Sequence, residues 1–290
     1  MASAASTSSR YRKLRGIIER SARSFTRHDM AIYAMALAYR GLFALFPFAI
    51  FLVAVVGFLR VDVVLEWLAE QGPPGIRGRV PQPIDSLLGQ ALGQDRGALL
   101  LVVIVLAFWS VSMGVRLLTK ALNAVLEVEE TRPPWKRATS SLTFAPTLAL
   151  AGVTAVALML LTSRTAAWLA GLVSLDEAFV LLWTLLRWPT ALLLLALVIA
   201  AVYRYAPDAE LPFRSVLPGA LVAALSWALA SLAFSFFLTV FPDYGAAYGS
   251  LGTAISLLLY LYFSAAVLLF GAELNAELRR HGAPEAGGKS

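Results

Sequence analysis

Long apolar runs alternate along the chain with short polar, mostly basic connectors. About 20 apolar residues in a helix cross the hydrocarbon core of a bilayer. Runs of that length fall at about residues 30–59, 97–126, 140–163, 178–205, 215–241 and 244–276. The last is the cleanest, with no charged residue between Tyr244 and Ala272. No ten-residue alternation of the barrel type appears, so the runs predict helices. The expected fold is all-α: a polytopic membrane protein with a six-transmembrane-helix bundle over residues 30–277. An arm, 1–29, precedes it, and its part 11–25 has the pattern of an amphipathic helix lying on the inner leaflet. The loop 60–96 after the first span carries VDVVLEWLAE and IDSLLGQAL, two short amphipathic helices parted by the breakers of QGPPGIRGRVPQP. Residues 278–290 read as a disordered basic tail.

Charge orients the bundle. The arm holds Arg10, Arg12, Lys13, Arg15, Arg20, Arg23 and Arg27. The connector after the second run adds Arg132, Lys136 and Arg137, and the RYAPDAELPFR turn is flanked by Arg204 and Arg214. The positive-inside rule puts all of these in the cytoplasm, with both termini. The long outer loop, with Arg60, Arg77, Arg79 and Arg96, departs from the rule, and the arm and short loops decide. Composition agrees: 59% of residues are hydrophobic and 14% charged, where soluble domains carry about a quarter. The chain has no cysteine, which excludes disulfides, thiolate catalysis and Cys-based metal sites. The first 29 residues lack an apolar h-region, so insertion is expected to be directed by the first span.

Small residues mark helix contacts. Gly219 and Ala223 form one small-x-x-x-small step, and Gly245, Gly249 and Gly252 notch the start of the last span. Pro47 is expected to loosen or kink its helix, and Arg187 and Pro189 interrupt the fourth span.

Polar groups at bilayer depth are the candidate site. Arg40 interrupts the first span. Either residues 30–39 are interfacial and Arg40 sits at the headgroups, or the helix starts near Met30 and buries it; the apolar MAIYAMALAY favours the second. Arg116 and Lys120 share a face of the second span, Asn123 follows, and Glu273 and Asn275 end the sixth. If these six line one inner-half cavity it is net positive, suited to an anionic headgroup, phosphate or carboxylate. The competing reading has the cations snorkel to the interface, or Arg40 and Glu273 pair structurally. Arg187, beside Pro189, stays unassigned.

Catalysis lacks a motif. The two histidines, His28 and His281, stand in polar tails at opposite ends of the chain, and no phosphate loop, H-E-x-x-H or G-x-S-x-G occurs. No enzyme activity, cofactor or metal is expected.

The stretches ALAYRGLFALFP (36–47), Ala121–Leu122–Asn123, YRYAP (203–207), LPGALVAALSW, YGSLGTAISLLLYLY and LFGAELNAEL together resemble the YihY / virulence factor BrkB family of bacterial inner-membrane proteins. The resemblance covers about residues 25–280 and implies six helices with cytoplasmic termini. It also brings an old ribonuclease label, now regarded as a misassignment, and proposals of envelope lipid or solute transport and serum resistance. Arg40 departs from the family pattern, in which that position is more often uncharged. The expected function is transport or lipid flipping of an anionic or amphipathic substrate in the bacterial inner membrane. The alternative is an envelope scaffold or regulator binding lipids or partner helices; a membrane ribonuclease ranks last. Expected partners are membrane lipids, including anionic headgroups, and a second copy of the chain is an open option; nucleic acid is not among them.

Overall fold

Six helices carry almost all of residues 2–58, 96–133, 177–240 and 243–282, the residues that the computed structural model describes. They are α1 (Ala2–Arg27), α2 (Met30–Phe58), α3 (Arg96–Leu126), α4 (Glu177–Tyr205), α5 (Phe213–Val240) and α6 (Asp243–Gly282). No strand occurs among the described residues. The expected third span, 140–163, and the outer loop apart from Arg96 lie outside them. Leu181–Tyr205, Phe213–Val240 and Leu251–His281 are long and apolar enough to cross a membrane. Residues 278–282, assigned to the tail from sequence, continue α6 instead. Arg279, Arg280 and His281 fill its last turn, where positive charge complements the helix dipole.

The chain divides into two units: Met1–Gly41, Gly114–Ala149 and Leu192–Ser290 form the first, Leu42–Met113 and Leu150–Ala191 the second. In the second, Leu181, Leu185 and Trp188 are exposed, and the Arg187 guanidinium stands 5.6 Å from the Trp188 ring centre. That contact shares a charge with an aromatic face.

The first unit holds the core, and the core is made of small residues. Ala34, Ala121, Ala196, Ala200, Ala220, Ala223, Ala224 and Ala272 are buried, while Leu225, Leu229, Leu232 and Phe236 are more than half exposed. A water-soluble fold would reverse this. In lipid, large side chains gain nothing by leaving the tails, and helices associate where small residues let their backbones approach. Gly219 of α5 and Gly271 of α6 meet backbone to backbone. A Cβ added at Gly219 would fall on the Gly271 carbonyl, and one at Gly271 would stand 2.6 Å from the Gly219 carbonyl and the Tyr203 hydroxyl. Ala223, the other half of the expected step, borders Gly271. Gly252 is buried; Gly245 and Gly249 are helical in α6, with their surroundings outside the described residues. Farther along the same seam the Trp227 indole donates to Ser264 (3.1 Å), and Ser231 and Tyr260 exchange a bond of 3.1 Å.

Helix α1 docks on α6 through Ile17, Ser21 and Ser24, one buried stripe at i, i+4, i+7. Phe25 packs on Phe270 with ring centres 6.3 Å apart. Only His28 and Asp29 separate α1 from α2, and Asp29 makes the corner at φ 54°. Aspartate tolerates that left-handed conformation better than most residues.

Candidate functional site

The polar centre of the first unit is built at the ends of three helices. Glu273 lies on α6 with 0% of its surface exposed. Burying a carboxylate is costly unless it is partnered. One oxygen has a partner: Oε1 lies 2.6 Å from Nδ1 of His28, at the α1–α2 corner. The other, Oε2, is buried with no hydrogen-bond partner among the described residues.

The far side of the His28 ring meets two groups of opposite sign. Nε2 is 3.1 Å from Nη2 of Arg27 and 3.2 Å from Oε1 of Glu127. Glu127 also accepts from Arg27 (2.7 Å) and Arg280 (2.9 Å). It reaches them because α3 ends there in a left-handed turn. Glu127 has φ 55°, and the Val128 and Glu127 amides fold back onto the carbonyls of Asn123 and Ala124. That closing pattern normally takes glycine at the left-handed position. Here a carboxylate occupies it, so backbone strain is spent on aiming a charge. Arg280 beside it, and then the His28 hydrogen bond, hold the Glu127 carboxyl below the usual carboxylate range. A neighbouring ladder joins α1 to α6, with Arg20 on Glu277 at 2.7 Å and His281 3.7 Å from the same acid. The two histidines are thus not remote in space from the carboxylates, contrary to their reading as polar tails.

Asn275, two residues past Glu273, turns to α5. Its Oδ1 accepts from the Gly219 amide (2.7 Å) and its Nδ2 donates to the Val216 carbonyl (2.8 Å). Pro218, which has no N–H to give the helix, lies in the same turn of α5. Tyr203 of α4, also buried, donates its hydroxyl to the Leu268 carbonyl.

Asn123 belongs to a second cluster that locks the loop after α3 to the loop after α4. Its Nδ2 donates to Glu130 (2.9 Å), and its Oδ1 accepts from the Asp208 amide (2.8 Å). Arg132 holds Glu130 by two bonds, 2.8 and 3.0 Å, and reaches the Ala206 carbonyl at 3.0 Å. Asp208 accepts from the Thr131 hydroxyl (2.7 Å) and amide (2.8 Å). Those bonds, the hydroxyl first, hold its carboxyl below the usual range. A lowered carboxyl stabilises the fold above its unfolded value, about 4, and that stability is lost as pH falls through the lower folded value. Asp208→Asn is therefore expected to cost under about 1 kcal/mol at neutral pH, since solvent screens the loop. It should also flatten the acid limb of a melting-temperature profile below about pH 4.

Of the six residues expected to line one site, Glu273, Asn275 and Asn123 are buried, and Arg40, Arg116 and Lys120 are exposed. A cleft of about 20 Å³ lies among Leu122, Tyr203, Val216, Asn275 and Arg279. That is room for about one water. None of the three exposed cations lines it. The side chain bonded to Glu273 is His28, whose far nitrogen meets Arg27 and Glu127, with Arg280 on Glu127.

Apolar helices with exposed leucines, small residues at the crossings and buried ion-paired groups define a helical membrane protein. The chain belongs to the Virulence factor BrkB family, whose model matches residues 21–290. It is 33% identical over 260 residues to the "Putative ribonuclease-like protein YfkH" of Bacillus subtilis, covering 88% of this chain and 92% of that one. It is 31% identical over 276 residues to a "UPF0761 membrane protein" of Chromohalobacter salexigens, covering 92% of this chain and 63% of that longer one. A shorter match, 37% over 79 residues, joins it to a UPF0761 membrane protein of Idiomarina loihiensis (27% of this chain, 28% of that one). No solved structure matches.

Proposed function

We propose that the chain is a multi-pass transporter or flippase-like protein of the bacterial inner membrane, acting on an anionic or amphipathic substrate. In this reading it has six spans and cytoplasmic termini, and α1 is the amphipathic segment on the inner side. The observation that carries the reading is the division of the charges. The buried carboxylate Glu273 is partnered by His28, while Arg40, Arg116 and Lys120 are exposed on helices whose other exposed residues are largely apolar. Charge held on an apolar helix surface is costly and is retained where it meets a headgroup or an anion. Nothing in the reading calls for an enzyme, a cofactor or a metal.

Native mass spectrometry of gently solubilised protein tests it. Wild type is expected to retain an anionic lipid or small anion, and Arg40→Gln to weaken that retention about tenfold, the worth of one charge-assisted contact. The same variant should slow flux of that substrate in proteoliposomes. No adduct and no flux in any form, with sensitivity confined to Gly245 and Gly249, would instead mark the scaffold.

A further inference from the structure

The His28 ring is placed between a partner that can only donate and a partner that accepts. Nδ1 is committed to Glu273, because 2.6 Å between a ring nitrogen and a carboxyl oxygen requires a proton between them. Nε2 has Arg27 at 3.1 Å and Glu127 at 3.2 Å. Guanidinium has no acceptor, so Arg27 can bond Nε2 only when Nε2 is a bare lone pair. An ionised Glu127 can bond it only when Nε2 carries hydrogen. The two distances differ by so little that geometry selects neither partner.

We infer that Nε2 of His28 is a reversible proton-binding site, which exchanges Arg27 for Glu127 as its partner when it takes up a proton. With the proton absent, the ring is neutral: Nδ1–H donates to Glu273 and Nε2 accepts from Arg27. With the proton bound, the imidazolium donates from both nitrogens, to Glu273 and to Glu127, and one proton is taken from solution. The groups around it account for both states. From α1 comes Arg27, with Arg20 one turn away on Glu277; from α3, Glu127; from α6, Glu273 and Arg280, the latter on Glu127. Asp29 at the corner is exposed. Two anions and two cations thus surround the ring, so the added charge is met on both faces. Uptake adds a bond between the α1–α2 corner and the end of α3. The site stands whether or not the chain carries a substrate.

The chain has two histidines, so His281→Gln leaves a single imidazole to observe. The protein is labelled with ¹⁵N-histidine in lipid nanodiscs and its ring nitrogens are followed over about pH 5 to 8, the range in which imidazoles ordinarily titrate. The expected result is that Nε2 passes from acceptor-type to protonated shift as pH falls, while Nδ1 stays protonated throughout. Glu127→Gln removes an anion and should move the midpoint down by about one unit; Arg27→Gln removes a cation and should move it up by a similar amount. Both substitutions are on exposed side chains, so the fold survives them even if Glu273→Gln does not. An Nε2 that keeps one state across the range, a titration at Nδ1 instead, or a midpoint unmoved by both variants overturns the assignment.

Discussion

Gly219→Ala is expected to be the most damaging single methyl in the protein, costing about 3 kcal/mol or more, the upper end of what overpacking does. The reason is the nature of the obstacle. A side chain in the way can change rotamer, but the added carbon meets the Gly271 carbonyl, which is backbone held in a helix. Relief requires α5 and α6 to part, and parting them stretches the Asn275 bonds to α5 as well. Gly271→Ala should behave alike, because its new carbon faces the Gly219 carbonyl, Tyr203 and Ala223. The two effects should not add, since once the helices part both carbons have room. Gly114→Ala is the control. No described residue lies within 4 Å of its added carbon, and alanine is the better helix former by about 1 kcal/mol, so it should melt at or above wild type. Thermal unfolding followed by fluorescence-detected size exclusion distinguishes these cases. A Gly219→Ala protein that melts with wild type would mean the helices do not cross there.

The second large effect is expected at Asn275. Asn275→Leu removes a buried acceptor from the Gly219 amide and a buried donor from the Val216 carbonyl. A buried hydrogen bond contributes about 0.5–1.5 kcal/mol, so losing both is expected to cost about 2 kcal/mol. Asn275→Asp separates the two bonds. At neutral pH it keeps an acceptor for Gly219 but turns a carboxylate toward the Val216 carbonyl; in acid the protonated form can donate again. Its melting temperature should therefore lie below wild type at pH 7 and close part of the gap as pH falls. If Asn275 served a substrate instead, Asn275→Leu would melt normally and lose only binding.

The helical class was legible because apolar runs of span length leave the backbone no other way to satisfy its polar groups in lipid. Polar residues ending the last run were also legible as costly. Their partners were not. Glu273 and His28 are 245 residues apart, and only the docking of α1 on α6 brings them together. The stripe of Ile17, Ser21 and Ser24 shows that α1 has a face to bury, but not where. Gly271 escaped notice because it sits in no glycine repeat. Its role follows from Asn275 one turn later, on the face that meets Gly219, and a small residue followed at i+4 by a polar one was the readable sign. The exposure of Arg40, Arg116 and Lys120 depends on how the helices are rotated in the bundle, which a sequence of nearly uniform apolarity leaves open.

The corner between α1 and α2 sets a mechanical limit. A joint of two residues spans at most about 7 Å, so α1 has no slack with which to swing away from α6 alone. Pulling it off drags the start of α2, and with it Met30 and Ala34 out of the core. Anything that grips the N-terminal helix therefore pulls on the first apolar helix like a handle.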